Sequence, residues 1–326
     1  MRNLDRKLAN IRKGKYKPDD FIIADAKDGD IGFGRASPVR DAKGHHTPRE
    51  THLQSIREIT KSGLVDIMLM SASTAERLSA EGLFKGSTVT PAIRLNDTTD
   101  IWSARGGRYK EEPSRHHRTA RIDQARKVTD LGLYSVTFSN QRDIDAMNAE
   151  AYSAFRAEAG EHKMRHFLEV FNPAFDIKLT KGADIGSFIN DNIVRTLAGV
   201  MEADYPKFLK LQYNGPRAME ELASYDPGHL IVGVLGGAAG TARDTFELLS
   251  QAERYGARVA LFGRKIHLAE SPMDIVAMMR QVVARTLTPS EAVKAYHGEL
   301  QKKRIKPERP LPDDLQLTEA PLKLAA

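Results

Sequence analysis

The chain has 326 residues, 41% of them hydrophobic and 28% charged, with a formal net charge of +6 and no cysteine. The lack of cysteine excludes disulfides, thiolate metal sites and cysteine nucleophiles, and no apolar run approaches the length of a membrane span. The basic residues are scattered apart from Arg115-His116-His117-Arg118 and Gln301-Lys302-Lys303-Arg304, and no zinc-finger or RNP pattern occurs, so the charge points to anionic small molecules rather than nucleic acid.

In chain order, the opening "MRNLDRKLANIRKGKYKP" lacks the apolar core of a signal peptide and reads as a basic amphipathic leader helix, which makes the cytoplasm the expected compartment. Eight apolar runs follow: "FIIAD" (21–25), "VDIMLM" (65–70), "TVTPAIRL" (88–95), "YSVTFS" (134–139), "HFLEVF" (166–171), "FLKLQY" (208–213), "HLIVGVL" (229–235) and "RVALFG" (258–263). Helical patterns separate them. "TPRETHLQSIREITKSG" offers Thr47 as N-cap, Pro48 in the first turn and Gly63 at the end, and "TARDTFELLSQAERYG" repeats the arrangement with Thr241 and Gly256. Further helices are predicted over 74–83, 118–131, 143–159, 184–203, 216–224 and 271–286.

Eight strand–helix units predict an α/β chain folded as a (β/α)8 TIM barrel, with a doubly wound sheet as the main rival. The barrel is expected over 1–304, and 305–326, rich in Pro and charge, reads as an extended or disordered C-terminal arm. Barrel enzymes place their chemistry in the loops after the strands, where this sequence collects polar and Gly-rich segments.

Of the charges inside apolar runs, two are candidates for chemistry. Lys210 stands inside "FLKLQY", where period-2 alternation gives it one strand face together with Phe208 and Gln212. A buried ammonium group is costly unless it is paired or loses its proton, and a neutral amine attacks ketones and aldehydes to give a Schiff base. Glu169 stands inside "HFLEVF" and is either the proton shuttle for such a lysine or only its ion-pair partner. Asp25 ends the first run, where it could reach the barrel mouth or anchor a loop. Lys27, Asp28 and Asp30 read as loop residues, and "DGD" lacks the spacing of a calcium loop.

Glycines supply the rest of a site. "GVLGGAAGTARD" leaves a strand and enters a helix, and "FGRKI" adds Gly263 and the cation Arg264 after the next strand. The last two loops of a barrel are its usual phosphate site.

A strand-six lysine, a Gly-Gly turn after strand seven and a Gly-Arg after strand eight resemble the class I aldolases of the DeoC/LacD superfamily. Similar groups are the archaeal-type fructose-bisphosphate, tagatose-bisphosphate and sulfofructose-phosphate aldolases. The resemblance spans about 20–285 and is strongest over 204–266. It implies metal-free and cofactor-free Schiff-base chemistry on a phosphorylated ketose, and a homo-oligomer. By it, Lys210 forms the imine, Glu169 and Asp25 are catalytic, and Gly236, Gly237, Gly263 and Arg264 hold phosphate. Arg115, Arg118, Lys27 and Gln212 are further candidates for substrate or lid contacts. Two features depart from the tagatose-type pattern. "YSVTFSN" has no lysine, and Asp25-Ala26-Lys27-Asp28 stands where that branch has Asp-Gln-Arg.

Other readings are an acyl-transferring member of the same superfamily, a non-catalytic sugar-phosphate sensor and an NAD(P)-dependent oxidoreductase prompted by "LGGAAGT". The sensor gives Lys210 and Glu169 no reason to stand inside strands. The oxidoreductase fits poorly, because dinucleotide fingerprints open the first βαβ unit and an acidic residue ends the next strand, whereas here Gly263-Arg264 ends it.

Overall fold

The apolar runs form a closed parallel barrel in the computed structural model, which describes residues 2–36, 45–98, 104–108 and 110–325. Its strands are β1 (Ile22–Lys27), β2 (Ile67–Ser71), β3 (Thr90–Arg94), β4 (Leu131–Thr137), β5 (Arg165–Phe171), β6 (Leu209–Leu211), β7 (Gly233–Leu235) and β8 (Val259–Phe262). Neighbours pair in chain order and β8 closes on β1, so the doubly wound alternative is excluded.

Strands buried on both faces need apolar residues on both, and the alternation sorts them into two layers. Ile22, Ala24, Leu69, Leu133, Phe167, Phe208 and Leu261 fill the interior. Ile23, Met68, Ile93, Leu168, Leu209 and Val234 face the surrounding helices. Phe167 and Phe208 stack at the core of the barrel with ring centroids 4.6 Å apart. The leader helix Asn3–Arg12 closes the lower end, adding Leu4, Leu8 and Ile11 to the interior cluster, while Lys7 donates to Asp66 at 2.9 Å and to the Phe21 carbonyl at 2.8 Å.

Several element ends differ from the sequence reading. The helix predicted from Thr47 begins at Arg49, because Pro48 sits in extended conformation (φ −59°, ψ 153°) as its cap residue. Gly63 ends it in the left-handed region (φ 68°), as its sequence suggested. Thr241 and Asp244 form the capping box of the helix Ala242–Arg254. Of the helix predicted over 118–131 only Ile122–Ala125 forms. His117 is drawn into a bridge with Asp97, and Thr129 Oγ donates to the Pro91 carbonyl at 2.7 Å, so the chain is committed to extended structure on either side. β4 then starts at Leu131, where Gly132 leaves the space that Leu95 fills: a Cβ there would lie 2.2 Å from Leu95 Cδ1. The helix predicted over 184–203 stops at Leu197.

After β8 come the helices Arg264–His267, Pro272–Val283, Pro289–Lys302 and Leu311–Asp314, and a 3-10 turn at Ala320–Ala325. The C-terminal segment lies against the barrel's helical layer: Leu322 is buried and its carbonyl accepts from Gln251 Nε2 at 2.9 Å. Among the described residues no helix is long and apolar enough to cross a membrane.

Candidate active site

Parallel pairing sets Glu169 of β5 directly beside Lys210 of β6. Each lies two residues beyond an inward-facing phenylalanine, Phe167 and Phe208, so both side chains point into the barrel just above that stacked pair. Lys210 Nζ is 2.5 Å from Glu169 Oε1, with the two side chains 7% and 1% exposed. Glu169 Oε2 accepts from Ser135 Oγ of β4 at 2.9 Å. The glutamate is therefore oriented from both neighbouring strands.

Arg94, the last residue of β3, completes the floor. Its guanidinium donates to Asp28 Oδ2 at 3.0 Å and to the Asn96 carbonyl at 3.1 Å, pairs with Asp97, and stands 3.5 Å from Glu169 Oε2. Burial alone would lower its pKa, but Asp97, Glu169 and Asp28 outweigh that and hold it above the ordinary arginine range. The sequence reading missed Arg94, Asp97 and Ser135 and placed Asp28 only in a loop. Arg94 carried a usable signal: it is a charge inside the run "TPAIRL", the same criterion that found Lys210 and Glu169.

Above this floor is a cavity of about 170 Å³ lined by Lys210, Glu169, Arg94, Asp28, Lys27, Gly236, Gly237, Gly263 and Arg264, among others. Gly236 packs on Phe262, where a Cβ would come within 3.1 Å of the ring, and Gly237 takes a left-handed turn (φ +67°). A Cβ on Gly263 would stand 3.0 Å from the Ala26 carbonyl oxygen. Both loops therefore expose backbone at close approach.

Asp25 does not reach this cavity. It pairs in register with Met68 and Phe262, residues of the outer layer, so its carboxylate turns toward the helices. There it lies 3.5 Å from Lys27 Nζ, and burial pushes its pKa up to about 6 against the pull of Lys27. Lys27 ends β1 on that outer face and donates to His267 Nδ1 at 2.7 Å. Burial, and then the Lys27 charge, keep His267 far below its usual range, so its ring is neutral and accepts. His52 Nε2 donates to the Lys27 carbonyl at 3.1 Å.

Lys27 still borders the cavity, but the remaining candidates lie outside its lining. Gln212 is exposed beyond the end of β6. Arg115 is exposed, and Arg118 pairs with Glu158 at 2.7 Å near the far end of the helix Arg142–Glu161, away from the mouth. Residues 99–103 and 109 of that proposed lid lie outside the described residues. Among the described residues no group of three or more His, Cys, Asp or Glu is arranged to hold a metal ion.

No family profile matches the sequence, and no curated protein matches it. Solved structures do. An archaeal fructose 1,6-bisphosphate aldolase superposes with a TM-score of 0.63 at 13% identity, over 86% of this chain and 99% of that one. An archaeal fructose-1,6-bisphosphate aldolase with its catalytic lysine bound to a carbinolamine intermediate gives 0.63 at 14% identity, with the same coverage of 86% and 99%. A Corynebacterium glutamicum protein gives 0.59 at 16% identity, over 87% of this chain and 94% of that one. At these identities the likeness is one of fold, and the chain has the (β/α)8 barrel architecture of the archaeal Schiff-base aldolases.

Proposed function

We propose that the protein is a class I aldolase that makes or breaks a carbon–carbon bond in a phosphorylated ketose through an imine on Lys210. The observation that carries this reading is a lysine amine inside a barrel, 2.5 Å from an oriented glutamate and open to a cavity bordered by two glycine loops. The neighbours' Schiff-base chemistry is in accord with it. Lys210 Nζ gives a proton to Glu169 and attacks the substrate carbonyl carbon. The nitrogen passes a second proton to the oxygen to give the carbinolamine, Glu169 returns the first to that hydroxyl, and water leaves as the iminium forms. Glu169, again a carboxylate, takes the β-hydroxyl proton, the carbon–carbon bond breaks, the aldehyde departs, and the bonding electrons remain in the enamine. Protonation and hydrolysis release the ketone and restore the amine. The sequence needs no metal ion or organic cofactor.

Borohydride treatment with a panel of ketose phosphates tests the reading directly. A reduced adduct should map by peptide mass analysis to the segment containing Lys210. No adduct with any ketose or triose phosphate would reject the imine.

Glu169→Gln retains the shape but not the base. Its kcat should fall on the order of 10²–10⁴-fold with a much smaller change in KM. Near-normal turnover would reduce Glu169 to an ion-pair partner. Arg264 is exposed at the rim, where it and the amides around Gly236 and Gly237 are suited to a phosphate. Arg264→Ala should raise KM for a phosphorylated substrate about tenfold, the scale of one solvent-exposed charge-assisted hydrogen bond. An unphosphorylated analogue should be barely affected, and equal losses on both would assign the residue another role.

A further inference from the structure

Lys265 follows Arg264 at the exit of β8, and its side chain is fully buried. A buried ammonium group needs a partner, and this one comes from a residue 54 positions downstream: Glu319 Oε1 lies 2.6 Å from Lys265 Nζ. The same amine donates to the carbonyl oxygen of Ala239 at 3.3 Å, in the loop leaving β7. One cation thus ties together the β8 exit, the β7 loop and the C-terminal segment.

The C-terminal segment also holds the start of the helix Ala242–Arg254, where the β7 loop ends. The backbone N–H groups of Thr318 and Glu319 donate to Asp244 Oδ1 at 2.7 and 3.2 Å. Thr241 Oγ donates to the Gln316 carbonyl at 2.8 Å, and Asp314 accepts from the Ala242 N–H at 2.8 Å. Gly240, at φ +63°, has no room for a side chain: a Cβ would stand 2.9 Å from Asp244 Oδ2 and 3.1 Å from Glu319 Oε1. From the opposite side, Lys27 fixes the end of the helix Arg264–His267 through His267.

We propose that Glu319, acting through Lys265, is a positioning residue for the substrate phosphate, so that the C-terminal segment sets the spacing between the Gly236-Gly237 turn and Arg264. This rests on the phosphate reading above. Donors held in place before binding lose little entropy when the ligand arrives, whereas a slack loop must be ordered by the ligand itself. Lys210 and Glu169, on β6 and β5, make no hydrogen bond or ion pair with this strap among the described residues, so loosening the strap affects phosphate recognition selectively.

The test uses the whole 326-residue chain and its Glu319→Ala and Glu319→Gln variants. Inorganic phosphate binding is measured by calorimetry, and imine formation by borohydride trapping with dihydroxyacetone phosphate and with dihydroxyacetone. Glu319→Ala should weaken phosphate binding about tenfold and raise the half-saturating concentration of the phosphorylated ketone to match, with trapping at saturation and trapping of the unphosphorylated ketone little changed. Glu319→Gln still accepts a hydrogen bond from Lys265, so it should recover part of the loss, and it reads the effect even if the alanine variant folds poorly. Equal losses on both ketones would make the segment a general stability element and overturn the proposal. Wild-type phosphate affinity in both variants, or no phosphate binding by the wild-type protein, would overturn it too. Failure of the imine reading is distinguishable: the wild-type protein would form no adduct with either ketone while calorimetry still reported phosphate.

Discussion

Lys210→Ala should abolish both the borohydride adduct and turnover, while EDTA leaves the wild-type rate intact. The effect is expected to be all or nothing because the lysine supplies the covalent bond, not a contact that strengthens one. The substitution should also leave the fold standing. Glu169 then loses its neighbour at 2.5 Å but keeps the Ser135 hydroxyl and the Arg94 guanidinium. Retained secondary structure with no adduct separates lost chemistry from lost folding. An adduct that persists on another lysine, Lys27 being the other amine in the cavity lining, would reassign the imine.

Arg94→Met should be the most destabilising single change in the site. The guanidinium is the shared partner of Asp28, Asp97 and Glu169, all buried, and without it the three carboxylates lose their common cation, although Glu169 keeps Lys210. Removing one partner from a buried ionic network costs about 3–5 kcal/mol, because the charges left behind are no longer compensated. Chemical denaturation at neutral pH reads this directly as a midpoint below that of the wild-type protein. A variant with a wild-type midpoint at neutral pH would show that Arg94 is not what compensates these charges.

Lys210 and Glu169 were legible because each is a charge inside an apolar run. For Asp25 the strand face stayed open, for a physical reason. In "FIIAD" both faces are apolar, as buried parallel strands require, so nothing local reveals which parity faces inward. β1 then runs on to Lys27, and the register with β2 and β8 turns Asp25 outward. The acid of this segment that lines the cavity is Asp28, just beyond the strand's end. The grouping of Asp28, Asp97 and Glu169 around Arg94 joins separate βα units, and only barrel closure brings them together. The helix Pro289–Lys302 was missed although Thr288 and Glu291 form a legible capping box before it. The C-terminal segment was read from its composition as extended or disordered, but its attachment depends on single polar groups, Asp314, Thr318 and Glu319, whose partners lie dozens of residues away.

The stacked Phe167–Phe208 pair gives the barrel a blind end. A carbonyl that reaches Lys210 has its reacting carbon at the bottom of the well, and every further atom of the substrate must extend upward toward the rim. On the proposed function, substrate length is therefore measured from a rigid aromatic base, and sugars of different length differ in how far they reach into the loops above it. The same base closes off approach from below, so on that chemistry ketone and aldehyde both enter from the rim. A change of sugar preference would then call for substitutions at the rim rather than in the two phenylalanines, the lysine or the glutamate.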